Sequence, residues 1–260
     1  DFMKDIKKSF ALNKIPLKKA GIHNCEASRF LLSSTGYDYI EIDPFGSPNP
    51  YLDASVRRLS RQGTLAVTAT DTSALCGTHP KACRRKYWAE PTHNTHMHEA
   101  GLRILIRKVQ LIGAQYDRAL VPILSYCDMH YMRVYFRSDK AKTAVDDVIK
   151  KHGMWNGAGP MWLGELWESE LLAKMIKKCP TEWEDTRKLL TILLEESQIH
   201  QLGFFDIHDL ARKHKMGNLP KMIDMQKRLV EGGYKTSRTH FCDTALRTEA
   251  NEETVLAAMR

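Results

Sequence analysis

A chain of 260 residues, 43% of them hydrophobic, has length enough for one large or two modest domains and is not a disordered chain. Its 39 Lys+Arg against 31 Asp+Glu leave a net charge of +8 and a pI of about 9.1, a balance that fits a polyanionic partner. No run approaches the ~20 apolar residues of a membrane span, and no signal peptide is visible. The six cysteines (25, 76, 83, 127, 179, 242) form no C-x-x-C pair, so they read as free thiols of a reducing, cytoplasmic setting.

The chain opens at Asp1 inside a helical pattern, Phe2 to Leu12, as though cut within a domain. A short strand is expected near Ala20 to His23, then Glu26-Ala27 and a helix through Arg29 to Leu32. The run Tyr37 to Ile42 reads as a buried strand that ends in Asp43-Pro44-Phe45-Gly46-Ser47-Pro48. A helix follows from about Pro50 to Arg61, with Leu52, Val56 and Leu59 at helical spacing. Gly63 introduces a second buried strand, Leu65 to Thr70, ended by Asp71. A long loop holding Cys76-Gly77, His79-Pro80 and the basic run from Lys81 to Lys86 leads to a helix from about Met97 to Tyr116. Its Leu102, Leu105, Ile106, Val109 and Ile112 share one face. Ala119–Tyr126 and Tyr131–Phe136, joined through Cys127-Asp128-Met129-His130, form an antiparallel pair.

The order β-α-β-α-β-α-β-β is an α/β pattern. It implies a parallel sheet with helices on both faces, finished by a hairpin, and ligands of such sheets bind at the carboxyl ends of the strands. Glu26, Asp43 and Asp71 fall at such ends, three acids on one rim. A divalent cation would also suit them, but His or further acids at ligand spacing are wanting.

From about Ala141 the texture changes, so the expected domains are 1–140 and 141–260. Lys142 to His152 is polar and helical, and Gly153 to Gly159 with Pro160 reads as a loop. Trp155, Trp162 and Trp167 form either a packing cluster or a stacking platform. A helix spans Trp183 to Ser197. Helices over Asp206–His214 and Leu219–Gly232, then extended Tyr234 to Phe241, resemble a winged-helix module. Its second helix, or the strand with Arg238 and His240, either contacts phosphates or only packs against protein.

The stretch from Asp43 carries the chemistry. An exocyclic base amine is a poor nucleophile because its lone pair is delocalised into the ring, and a carboxylate accepting its N–H localises that pair. Pro44 fixes the backbone, and Phe45 offers a flat face to a base out of its helix. Asp-Pro before Gly-Ser-Pro is equally ordinary turn chemistry. Basic clusters at Arg57-Arg58 with Arg61, at Lys81–Lys86 and at Arg212–Lys215 favour nucleic acid. His79, His93, His96 and His98 are dense enough for a metal yet lack paired Cys or acids. Cys76 and Cys83 would serve nucleophilic methylation only with Pro-Cys at the strand end, where this chain has Asp-Pro.

Ile42 to Pro48, Leu65 to Thr72, Leu75-Cys76-Gly77, Pro80 to Cys83 and Arg85-Lys86-Tyr87 resemble, in order, the tRNA guanine-26 N2-dimethyltransferases of archaea and eukaryotes. The matches continue through His98-Glu99, Arg103-Ile104-Leu105, Gly159-Pro160, Trp162-Leu163-Gly164, Tyr234, Thr236 and Arg238 to Phe241, covering about residues 25 to 248. The resemblance implies a Rossmann-like class I S-adenosylmethionine methyltransferase sheet, incomplete at its N-terminus. It also implies a smaller α+β tRNA-binding domain with a winged-helix-like end, and a monomer that methylates a guanine of tRNA twice.

By carry-over Asp43 is the catalytic acid. Pro44, Phe45 and Gly46 form the guanine site, joined in substrate binding by Asp71, His79, Arg84, Arg85, Lys86, Arg238 and His240. Glu26-Ala27 stand where the family shows Asp-Ala against the cofactor adenine, and Asp43 and Pro44 border the cofactor too. The family's Gly loop for the methionine end and its ribose acid are missing, and Asp1 is not given that second role. A binding-only tRNA fragment is therefore the alternative, and a DNA adenine or protein glutamine N-methyltransferase a further one. Gly153 to Pro160 is short and free of cysteine, so no zinc is expected.

Overall fold

The computed structural model describes residues 2–128 and 130–260, so Asp1 and Met129 of the hairpin connection lie outside the described residues. Helix α1 (Phe2–Leu12) and α2 (Ala27–Leu32) precede β1 (Tyr37–Ile42), α3 (Asn49–Arg58) and β2 (Leu59–Ala69). Then come α4 (Thr72–Leu75), α5 (Pro80–Tyr87), α6 (Met97–Ala114), and the hairpin β3 (Ala119–Asp128) and β4 (Tyr131–Asp139). These strands make one sheet in the order β1-β2-β4-β3, with β1 parallel to β2 and the other pairs antiparallel.

Strict alternation sets the two faces of this sheet. Ile40, Ile42, Leu65, Val67, Ala69, Val134 and Phe136 turn to one side and are buried with Leu52 and Val56 of α3 and Leu102, Leu105, Ile106 and Val109 of α6. Tyr39, Glu41, Thr68, Arg133 and Tyr135 alternate onto the other side. So β1, expected to be buried, is an edge strand with one face in the core and Tyr39 and Glu41 exposed. The expected helices on both faces are also corrected. At β2 and β4 the second face carries Arg133 and Tyr135 beside a buried Thr68, polar groups that suit a partly wet surface.

Ala20 to His23 is not a strand: the sheet ends at β1, and an extended segment without ladder partners stays coil. Helix α3 stops at Arg58, three residues short of expectation, because β2 starts at Leu59 and pairs it with Tyr37. The basic run is not loop but α5, begun by Pro80 in the first turn, where its missing N–H costs nothing.

Beyond the sheet lie α7 (Lys142–Ile149), β5 (His152–Trp155) and β6 (Ala158–Trp162), followed by α8 (Ser169–Lys178) and α9 (Glu184–Glu196). The expected loop at 153–160 is the β5–β6 hairpin, turned by Asn156-Gly157 with φ of 49° and 79°. The expected reading has no helix at α8. The main core continues through Met161, Trp162, Leu166, Trp167 and Leu172 to Leu193, so the tryptophans pack rather than present a platform. Trp167 Nε1 donates to the Ser125 carbonyl at 2.6 Å, fixing this segment over β3.

A second cluster joins β7 (Phe205–Asp206), α10 (Ile207–Lys213), α11 (Met222–Glu231), β8 (Thr236–Thr239), β9 (Cys242–Thr248) and α12 (Glu252–Met259). The small sheet runs β7-β9-β8. Asp206 and Asn251 cap α10 and α12 through their side chains, as short polar residues at these positions do. Among the described residues no helix is long and apolar enough to cross a membrane.

Candidate active site

β1 and β2 run parallel, so their carboxyl ends share a rim, and antiparallel β4 brings its first residues to the same place: Met132 pairs with Ala69. Asp43 follows β1 directly and is half exposed. Phe45 projects fully into solvent at the crest of the turn. Gly46 has φ +87°, a backbone state that side chains rarely adopt, and a Cβ there would meet nothing. Glycine is therefore demanded by the backbone and not by space. Gly46 donates to Thr70 Oγ1 at 2.6 Å, while Thr70 N–H donates to the Gly46 carbonyl at 2.9 Å. The turn is thus laced to the end of β2.

Three further side chains brace it. Tyr87 O–H donates to Asp71 Oδ1 at 2.6 Å and lies 3.1 Å from Ser47 Oγ. Lys86 Nζ holds Asp71 Oδ2 at 3.1 Å, and Asn49 Nδ2 donates to the Lys86 carbonyl at 2.8 Å. Burial, then the Asp71 hydrogen bond and charge, push the Tyr87 phenol far up, so it stays a neutral donor. Asp71, expected to bind substrate, therefore has both oxygens engaged within the protein.

Arg133 was not singled out by the sequence. It reaches across β2 to pair with Glu41, donates to Thr68 Oγ1 and to the Tyr135 hydroxyl oxygen, and puts Nη1 3.8 Å from Asp43 Oδ2. Its signal is the alternation Met132, Val134, Phe136 inward, which leaves Arg133 on the outer face. That it meets Glu41 needs the register, which no local pattern supplies. The Arg133 bond draws the Glu41 carboxyl down against burial.

Ala27, Phe30 and Leu31 of α2, Ile42 at the end of β1, Asp43 and Pro44 after it, and Tyr51 and Ser55 of α3 line a groove of about 370 Å³. Ser55 is buried and its hydroxyl has no hydrogen-bond partner among the described residues. Glu26, expected at the adenine, is exposed and caps α2, accepting from Ser28 N–H at 2.9 Å and Arg29 N–H at 2.6 Å. Those two backbone bonds lower its pKa. Glu26 does not close a strand, since Ala20 to His23 is coil; only Asp43 and Asp71 share the strand-end rim.

His79 stands at the N-cap position of α5 without a side-chain capping bond, and Lys81, Arg84, Arg85 and Lys86 stand out from the helix, with Arg84 paired to Glu90 at 2.5 Å. Arg238 is exposed on β8. His240 faces inward: its side chain is 2% exposed, and Nδ1 sits 2.6 Å from Glu196 Oε2. Of that pair, Arg238 alone faces solvent. The other histidines are absorbed locally, His93 at the Cys76 carbonyl, His96 at the Phe204 carbonyl and His98 at 3.5 Å from Cys76 Sγ. Burial pushes Cys76 up to about 11 and Cys83 up to about 12, far from thiolate nucleophiles. Among the described residues no group of three or more His, Cys, Asp or Glu is arranged to hold a metal ion.

Comparison with known proteins places this arrangement. Family models described as N2,N2-dimethylguanosine tRNA methyltransferase match residues 2–157 and 153–260. The tRNA (guanine(26)-N(2)/guanine(27)-N(2))-dimethyltransferase of Aquifex aeolicus is 33% identical over 98% of this chain and 72% of its own. The tRNA (guanine(26)-N(2))-dimethyltransferase of Methanothermobacter thermautotrophicus is 35% identical over 86% of this chain and 68% of its own. Trm1 from Pyrococcus horikoshii, solved in complex with S-adenosyl-L-methionine, superposes with a TM-score of 0.85 at 31% identity, over 92% of this chain and 70% of that one. With an α/β methyltransferase sheet and a smaller C-terminal module, the chain belongs to the N2,N2-dimethylguanosine tRNA methyltransferase family.

Proposed function

We propose that the protein transfers methyl groups from S-adenosylmethionine to N2 of guanine 26 in tRNA, one and then a second. The observation that carries this is the Asp43-Pro44-Phe45-Gly46 turn, laced to Thr70 at the open end of the parallel pair β1/β2 in a chain of this family.

The groove beside that turn fits the cofactor. Its walls are apolar and aromatic, with Phe30, Leu31, Ile42 and Tyr51 suited to a flat purine. Ser55 brings a hydroxyl that still lacks a partner, and Asp43 stands at the mouth. When bound there, S-adenosylmethionine supplies an electrophilic methyl group. Asp43 accepts an N–H of the guanine amine, localises the nitrogen lone pair and takes up the proton released as the N–C bond forms. Once Asp43 has released that proton to solvent and fresh cofactor has replaced the spent one, a second amine proton is lost the same way, and the nitrogen carries two methyl groups and no hydrogen. Phe45, wholly exposed, stacks on the extruded base. Pro44 leaves its own position without an N–H, so acceptors rather than donors face the amine.

Arg85 and Lys81, on the free side of α5, with Lys86 and Arg84 beside them, take backbone phosphates next to the flipped nucleotide. Residues from 141 onward form the second tRNA-docking domain, with Arg238 on the winged module's strand as its phosphate contact. Incubation with tRNA and cofactor, followed by nucleoside mass spectrometry, tests the reading. N2-methylguanosine followed by N2,N2-dimethylguanosine is expected, and tRNA without either product would overturn it.

A further inference from the structure

Tyr87 ends α5 with its side chain wholly buried in the main core, directly behind the Asp43–Ser47 turn. Three groups meet in a line there. Asp71 Oδ1 accepts the Tyr87 hydroxyl at 2.6 Å, so the Tyr87 oxygen is left to accept the Ser47 hydroxyl at 3.1 Å. Asp71 Oδ2 is closed by Lys86 Nζ at 3.1 Å. The line therefore runs from the turn, through Tyr87, to the end of β2 and back to α5, and the Tyr87 hydroxyl both donates and accepts within it.

We infer that Tyr87 is a positioning residue for methyl transfer, holding the Asp43–Ser47 turn through Ser47 and coupling it to the basic helix α5. The inference rests on the function proposed above. Packing alone does not account for a tyrosine here, since a phenylalanine ring would fill the same volume without a buried hydroxyl to satisfy. The Thr70–Gly46 pair fixes the turn at its glycine, one residue before Ser47. Ser47 is where the turn passes into α3, whose Asn49 is itself tied to the Lys86 carbonyl at 2.8 Å. Asp43 and Phe45 lie just ahead of these two anchors. With the second anchor removed, the turn keeps its shape at Gly46 but not its angle to the rim. Misplacement of about 1 Å at a reacting group costs on the order of 10²-fold in rate.

The test compares wild type, Tyr87→Phe, Ser47→Ala and the double variant for kcat, tRNA KM and melting temperature. Each single variant should lose ~10-fold or more in kcat. The tRNA KM should stay within about twofold and the melting temperature close to wild type, because only a positioning effect is removed. The double variant should be no slower than the worse single variant, since both break one line. Unchanged kcat in Tyr87→Phe, a loss that follows melting temperature, or additive losses in the double variant would each overturn the inference. Should Tyr87→Phe not fold, Ser47→Ala decides by the same split, as its side chain is only half-buried. A wild-type protein silent on tRNA would instead overturn the functional reading.

Discussion

Arg247 on β9 donates to Glu99 on α6 at 2.8 Å, and the two side chains are 1% and 0% exposed. Glu99 also takes Arg103 at 2.9 Å, while Arg247 Nε reaches Glu196 of α9 at 3.0 Å. Arg103 goes on to the carbonyls of Trp162 and Gly164. Glu196 accepts from Thr239 and from the His240 N–H. One buried network thus joins α6, the main helix against the sheet, to α9 and to the β8–β9 strands of the C-terminal module.

Breaking this network should destabilise the fold. Glu99→Gln leaves Arg103 buried without its counter-charge and Arg247 with Glu196 alone, a loss on the order of 3–5 kcal/mol. Urea denaturation of that variant checks it. A midpoint within error of wild type would show that the network contributes no such energy.

Stability should fall with acid along two limbs. Burial, then the Arg107 charge, lowers His152 from an ordinary 6.5 to about 4, its ring held 2.8 Å from Gln110 Oε1. A depressed histidine is neutral in the fold and protonated when unfolded, so its contribution is complete above 6.5 and lost as pH falls towards 4. Burial would raise Glu99, but Arg247 and Arg103 bring it from 4.5 to about 2. Its contribution is complete above 4.5 and lost only as pH falls towards 2. Melting temperatures from pH 7 to pH 3 should show both limbs, and His152→Gln should shrink the upper one, leaving the share of His98, whose pKa burial also lowers, and sparing the lower one.

Much of this was legible locally. The apolar runs Leu65–Thr70 and Tyr131–Phe136, and the apolar stripe of α6, come straight from backbone geometry, so these elements exist as expected, although β2 starts six residues early at Leu59. The hairpin at Asn156-Gly157 was not legible as one, because glycines at 153, 157 and 159 with Pro160 mimic a loop. Its Asn-Gly pair was the available signal. The edge position of β1 and the coil at Ala20 depend on which strands find partners, and that is a tertiary fact. Glu99 and Arg103 look like a solvent-facing i, i+4 pair. Only the arrival of Arg247, 148 residues on, makes them a buried core. At the site, Asp43 and Phe45 stood out by chemistry. Arg133 and Tyr87 did not, since their roles arise from contacts across strands and helices.

Phosphate capture by α5 should be separable from chemistry. Arg85→Ala and Lys81→Ala should each weaken tRNA binding without changing kcat at saturation. Each should also lower the slope of log K against log salt by ~1 for every phosphate left unneutralised. Filter-binding titrations at several salt concentrations read both quantities, and a salt slope equal to wild type would remove these residues from the interface.

Phe45→Ala should act on the base and not on the backbone. Stacking of one base on an aromatic ring is worth ~1–3 kcal/mol, so kcat/KM for tRNA should fall by roughly 5- to 150-fold. The cofactor's Kd should stay the same, because Phe45 does not line the groove. Steady-state kinetics with a tRNA transcript, alongside calorimetric titration of S-adenosylmethionine, checks the pair.

The central claim is that Asp43 activates the guanine amine, and single-turnover methyl transfer to tRNA with Asp43→Asn tests it most directly. Losing the proton acceptor should slow transfer ~10²- to 10⁴-fold. Binding of tRNA should remain close to wild type, since Asp43 is one half-exposed group among many that face the substrate. Transfer at the wild-type rate in that variant would contradict the assigned role.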